Sequence, residues 1–236
     1  HMGISNGQSK TKTNKETTNY EKAFQQMQSS FLASPTARKY AESRCLDHQK
    51  LAIGYNPFKN SKFSYLKGCI AFSLKDAAGK VVSLYGRSIN DKSDSKHFYT
   101  TNRQGLYPSY PSVDGHGPSV AGHSPQPGTQ KLILTESVID AATLLSVPEI
   151  TQNYQILALY GTNGLTAEHI HAMQQLDQLS EIILFFDGDE AGKAATEKQG
   201  KYLSELFIDL KISVVPTLEG EDINSLAQGH EPDIFT

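Results

Sequence analysis

The sequence predicts an α/β protein: a parallel sheet with flanking helices, preceded by a smaller, basic α+β subdomain. Three observations lead there. After Lys131, apolar runs alternate with helix-prone segments in the order β-α-β-α-β-α-β, which implies a parallel sheet with right-handed crossovers. The run Ile182-Ile183-Leu184-Phe185-Phe186 is unbroken, as in a strand covered on both faces. Before residue 107 the apolar periods are shorter and mixed, with a hairpin signal at Asp76-Ala77-Ala78-Gly79.

The first 19 residues are almost free of apolar side chains and read as a flexible linker. The opening His1-Met2 looks like the scar of a cleaved tag. Tyr20, Phe24, Met27 and Phe31 recur at helical spacing and predict a one-faced helix. Ser34-Pro35 then supplies an N-cap and a first-turn proline for a second helix running through Arg38, Tyr40 and Arg44. Leu51–Tyr55, Gly68–Leu74 and Lys80–Tyr85 read as strands of a small antiparallel unit. Lys92, Lys96 and Arg103 interleave with Phe98, Tyr99 and Tyr107, a pattern that suits phosphate and base contacts or an ordinary solvated surface.

Five prolines and four glycines between residues 107 and 130 predict an interdomain linker, so the expected domains are 20–106 and 131–236. Its two histidines, His116 and His123, are poor metal candidates. Strands are expected at 131–135, 155–159, 181–186 and 211–216, and helices near 138–146, 166–177 and 190–209.

Composition narrows the function classes. Hydrophobic content of 38% and charged content of 20% suit a globular chain, and no apolar run approaches the roughly 18 residues of a membrane span. No secretory signal is visible, and Cys45 and Cys69 form no Cys-x-x-Cys pair. A cytoplasmic setting without structural zinc is therefore expected. The net charge of −3 conceals a division: residues 1–130 carry 17 Lys+Arg against 8 Asp+Glu, and residues 131–236 carry 5 against 17. A basic first half and an acidic second half suggest polyanion binding joined to a site that concentrates cations.

The acids fall at strand ends. Glu136 ends the first strand of the acidic half, with Asp140 four residues on; Asp187-Gly188-Asp189 ends the third; Glu219-Gly220-Glu221-Asp222 follows the fourth. In a parallel sheet these places share one edge, where open α/β sheets put their ligands. The simpler alternative is that Asp187 or Asp189 only caps the next helix. Crowded carboxylates repel, and a hard cation relieves them, so oxygen ligands of this kind suit Mg²⁺ or Mn²⁺, two ions or more, and phosphoryl or nucleotidyl transfer.

At these residues the sequence resembles the Toprim domain shared by DnaG-type primases, topoisomerases and some nucleases. Asp187-Gly188-Asp189-Glu190-Ala191-Gly192 and Gly220-Glu221-Asp222-Ile223-Asn224 are similar to bacterial DnaG-type primases in particular, as are Arg38 to Arg44, Ile53 to Pro57 and the Ala71 to Arg87 hairpin. The resemblance implies a metal-dependent nucleotidyltransferase that makes short RNA primers on single-stranded DNA from NTPs. Under it, Glu136, Asp187 and Asp189 would be catalytic. Asp187, Asp189 and Asp222, together with Glu136 and Asp140, would hold metal. Arg87, Lys96, Arg103 and Lys193 would contact nucleotide or nucleic acid. A replicative helicase is an expected partner through regions outside this chain, and no membrane is. Departures are Ser137 and Cys45, where such primases usually have Gly, and Asn224, where an acid is usual; the last is expected to weaken one metal contact. No zinc module precedes the core, which suggests an excised fragment or a divergent primase of a mobile element. A Toprim nuclease and an inactive nucleic-acid-binding module are the competing readings.

Overall fold

A computed structural model describes residues 19–57, 63–90, 92, 95–101, 103–111 and 130–235. Most of the 107–130 segment, with His116 and His123, lies outside the described residues. The first body opens with two helices, α1 (Tyr20–Ala33) and α2 (Pro35–Ser43). Asn19 caps the first, accepting from the Lys22 N–H at 2.9 Å, and Ser34 caps the second, accepting from the Ala37 N–H at 3.2 Å. Each cap satisfies a backbone donor the helix cannot satisfy itself, worth about 1 kcal/mol. Phe24, Met27 and Phe31 face inward as the helical period requires.

These helices cover an antiparallel sheet in the order β1 (Gly54–Tyr55), β2 (Cys69–Lys75), β3 (Val81–Ser88), β4 (His97–Tyr99). The last strand was not expected: three residues of a polar stretch carry no readable period, yet they pair Arg87 with His97 and Tyr85 with Tyr99.

The second body is the parallel sheet β5 (Gln130–Thr135), β6 (Gln155–Ala158), β7 (Leu179–Phe185) and β8 (Lys211–Val214), in the order β6-β5-β7-β8. Its helices are α3 (Val138–Leu145), α4 (Pro148–Asn153), α5 (Ala167–Gln174), α6 (Glu190–Leu206) and α7 (Ile223–Gly229). Side chains alternate across the sheet. Leu132, Leu134, Ile182 and Leu184 meet α5 and α6 residues such as Met173 and Leu203 on one face. Ile133, Ile156, Ile183 and Phe185 meet α3 and α7 on the other, in a core shared with Phe31, Tyr55 and Phe72 of the first body. The basic body is thus packed against one face of the parallel sheet.

The chain joining the bodies is itself paired. Leu106 bridges Lys75 at the end of β2, and Tyr107 bridges Ala158 in β6. Chain direction across the sheet reverses between β5 and β7, because β5 leads to β6 on one side and β7 leads to β8 on the other. At such a switch point the connections diverge above the strand ends and leave a crevice. Glu136 and Asp187 stand at its two sides.

Candidate active site

The crevice is a cleft of about 340 Å³ between the two bodies. Glu136, Asp140, Asp187 and Asp222 line one wall; Arg44, Arg87, His97 and Arg103 line the other, with Tyr99 and Tyr160 between them. Chain folding has therefore turned the charge division of the sequence into two facing walls.

Two glycines set the acidic wall. A Cβ on Gly188 would collide with the Leu218 carbonyl, and one on Gly192 with the backbone of Asp187. Without side chains, the 187–189 loop lies directly on the loop that carries Asp222, and the Gly188 N–H donates to the Glu221 carbonyl at 2.8 Å. Asp140 is buried on the first turn of α3, where Ser137 Oγ donates to it at 2.6 Å and the Asn224 backbone N–H also donates. Asp222 caps α7, accepting from the Ser225 N–H at 2.6 Å, while still lining the cleft. Asp189 caps α6, accepting from Gly192 N–H at 2.7 Å. It is exposed and stands outside the cleft lining. Asp189 therefore caps α6, and Asp187 caps no helix.

Electrostatics separates these acids further. Burial, then Asp140 and Asp189, push Glu136 up to about 7. Burial, then Asp187 and Asp222, push Asp140 up to about 7. Burial, then Glu136, push Asp187 up to about 7. Glu136 Oε2 and Asp187 Oδ1 are buried with no hydrogen-bond partner among the described residues. A buried carboxylate oxygen left unpaired is costly, and costs of this kind concentrate at functional sites.

The basic wall is held by hydrogen bonds and rings. Arg44 Nη1 donates to Asn224 Oδ1 at 2.9 Å, and the Arg44 guanidinium lies 5.6 Å from the Tyr40 ring centroid. Arg103 lies 4.8 Å over Tyr99. Arg87 Nη1 contacts His97 Nε2. Desolvation and the adjacent Arg87 charge pull His97 down to about 4. Lys96 is half-buried and Lys193 is exposed on the first turn of α6; neither lines the cleft.

The comparisons agree with this geometry. Residues 133–227 match the family model described as Toprim-like. The DNA primase of Buchnera aphidicola subsp. Acyrthosiphon pisum (strain APS) is 27% identical over 203 residues, which is 82% of this chain and 31% of that protein. The chain thus spans less than a third of that relative. Among solved structures, the Aquifex aeolicus primase (zinc binding and RNA polymerase domains) superposes with a TM-score of 0.67 at 18% identity, covering 93% of this chain and 60% of that one. The DnaG primase catalytic domain bound to ssDNA gives 0.67 at 20% identity, covering 91% and 77%. The fold is that of the DnaG catalytic cores.

The acids of the cleft fit a hard cation in part. Oxygen-only donors, two buried unpaired carboxylate oxygens and mutual repulsion all favour one. Among the described residues, however, no three His, Cys, Asp or Glu side chains are grouped closely enough to hold a metal ion as they stand. Asp189 and Asp222 are engaged as helix caps and Asp140 accepts from Ser137, the cap of α3, whereas Glu136 Oε2 and Asp187 Oδ1 have no hydrogen-bond partner among the described residues.

Sequence reasoning did not assign Arg44 or His97 to the site, and took Asn224 only as a weakened metal contact. Arg44 and Asn224 meet across 180 residues of chain, a contact no local pattern announces. Asn224 is 1% exposed, and its amide also donates to the Arg44 carbonyl at 2.7 Å and to Thr143 Oγ1 at 2.8 Å. It is a clasp between α2, α3 and α7, so its amide is already engaged within the protein. Cys45 was notable for standing where related primases have Gly, and its φ of 54° shows the left-handed turn that Gly would make easily. Its Sγ contacts the Ala227 carbonyl at 3.2 Å.

Proposed function

We propose that this chain is the catalytic core of a DNA primase, joining NTPs into short RNA on a single-stranded DNA template. The observation that carries the reading is the cleft itself: unpaired, crowded carboxylates at a sheet switch point directly opposite three arginines. An arginine wall binds phosphate, and a carboxylate wall manages the charge and protons of the reacting oxygens.

Arg44, Arg87 and Arg103 would grip the phosphates of the nucleotide and template, with Lys96 and Lys193 extending the basic track outside the cleft. Tyr99, covered by Arg103, and the buried Tyr160, 5.4 Å apart between ring centroids, pack between the two walls. Mg²⁺ or Mn²⁺, held by Asp187 and Glu136 with Asp222, Asp140 and Asp189 around them, would neutralise phosphate charge and acidify the attacking hydroxyl. The 3′-hydroxyl oxygen attacks the α-phosphorus, an O–P bond forms, and the bond to pyrophosphate breaks. Glu136, whose Oε2 is buried without a hydrogen-bond partner among the described residues, would accept the hydroxyl proton. Arg87 and Arg103 would then stabilise the departing pyrophosphate.

A replicative helicase as partner and a cytoplasmic setting accord with this reading; among the described residues no helix is long and apolar enough to cross a membrane. The test is primer synthesis from NTPs on single-stranded DNA with Mg²⁺ or Mn²⁺. RNA products that vanish in Asp187→Ala support it. Cutting of labelled DNA without NTPs would favour the nuclease reading instead, and salt-sensitive binding with no turnover would favour an inactive binding module.

A further inference from the structure

The side chain of Arg87 is long and flexible, and attractive partners surround it. Tyr40 and, more weakly, Asp222 on the opposite wall act on it electrostatically. An arginine left to itself could collapse across the cleft onto that carboxylate. Something must hold it back.

Register supplies the holder. Arg87 and His97 are direct partners across β3 and β4, as are Tyr85 and Tyr99. Residues two apart on a strand share a face, so Tyr85, Arg87, His97 and Tyr99 form one patch. Arginine nitrogens only donate. The contact from Arg87 Nη1 to His97 Nε2 therefore makes Nε2 the acceptor, and the ring's single proton sits on Nδ1. Nδ1 is 2.8 Å from the Tyr85 hydroxyl, which accepts it. Tyr85 is completely buried, with ring centroids of Phe72 at 6.1 Å and Tyr99 at 5.1 Å. The guanidinium is thereby anchored through an imidazole to the rigid core. Arg87 Nε is buried with no hydrogen-bond partner among the described residues, and the Tyr40 side chain also acts on this guanidinium.

We propose that His97, with its proton on Nδ1, is a positioning residue that aims Arg87 at the phosphates of the incoming nucleotide and keeps it off Asp222. This rests on the primase reading of the cleft.

The experiment is a double-mutant cycle on Arg87 and His97. ATP and GTP binding without template, and KM and kcat for primer synthesis on single-stranded DNA, are measured together with the melting temperature. His97→Ala is expected to weaken nucleotide binding and raise KM by about tenfold, the scale of one charge-assisted hydrogen bond, with kcat little changed. His97→Gln keeps an acceptor for Arg87 and a donor for Tyr85, and should restore most of the binding. In an Arg87→Ala background, His97→Ala should add less than about twofold, because nothing is left to aim. Additive losses would overturn the proposal, as would equal losses in His97→Ala and His97→Gln or an unchanged KM in His97→Ala. If Arg87→Ala leaves nucleotide binding and synthesis intact, the primase assignment of the basic wall fails, and the proposal with it. A loss in Arg87→Ala alone sinks only the proposal.

Discussion

Glu181 and Asp187 sit near opposite ends of the same strand, β7, and their circumstances are opposed. Glu181 is buried, with Lys211 Nζ at 2.8 Å, Lys131 Nζ at 3.4 Å and the Ser213 hydroxyl also donating. Hydrogen bonds from Lys211 and Ser213 pull it down to about 2. Asp187 has no cation against it and an unpaired oxygen, and it is pushed up to about 7. Six residues separate an acid that helps hold the sheet together from one that the fold leaves in tension. On the proposed reading the first is a structural carboxylate and the second a working one, and removing each should have opposite consequences.

The largest effect belongs to the working end. Asp187→Ala and Glu136→Gln should each lower primer synthesis by about 10³-fold, the scale for losing a group that stabilises developing charge, while Glu181→Gln should leave the rate per folded molecule unchanged. Steady-state primer synthesis reads both. Next comes Asn224→Asp. A carboxylate there loses both amide donor bonds and adds a charge beside Asp140. Stability should fall by roughly 2–3 kcal/mol in denaturant titration, while a carboxylate oxygen at 224 still accepts from Arg44 and should hold its guanidinium in place.

Stability then inverts the order. At pH 8, Glu181→Gln should destabilise by about 1–3 kcal/mol. Asp187→Asn should instead raise the melting temperature by about 2–4 °C, the shift that about 1 kcal/mol produces in a protein of this size. The pH dependence has a matching sign. Glu136, Asp140 and Asp187 are raised to about 7, so the folded protein holds extra protons between pH 4 and 7. Their contribution to stability is present below about pH 4 and is lost as pH rises through 7. Glu181 acts in reverse: its contribution is present above pH 4.5 and is lost as pH falls toward 2. Calorimetry across this range should show the first loss flattened in Asp187→Asn and the second in Glu181→Gln.

The smallest effect concerns the strap between the bodies. Glu168 accepts from the Gly105 N–H at 2.9 Å and the Tyr110 hydroxyl at 2.7 Å, two residues along from Arg103. Glu168→Gln should cost about 1 kcal/mol and loosen template binding slightly, measured by salt-dependent DNA affinity.

Much of this was legible in the sequence because of where the residues fall. The four parallel strands lie within a residue or two of the runs that announced them; the central β5 and β7 read clearly because strands covered on both faces are mostly apolar, whereas β8 is a half-exposed edge strand. Glu136 and Asp187 could be placed together because strand direction alone puts both at one sheet edge. Short elements escaped: β4, α4 and α7 are too brief to show a period. The basic wall was only half visible. Arg87 and Arg103 stood out by type, but Arg44 enters through Asn224, and His97 matters through a cross-strand pairing.

The central claim is that Glu136 and Asp187 are held apart from any counter-charge so that a divalent cation can supply it. Melting the wild-type protein and the Glu136→Gln/Asp187→Asn double variant at pH 7.5, with and without Mn²⁺, tests this most directly. The account predicts a higher melting temperature with Mn²⁺ in the wild type and no Mn²⁺ response in the double variant, which should already melt higher without metal. An equal Mn²⁺ shift in both proteins, or none in the wild type, would contradict it.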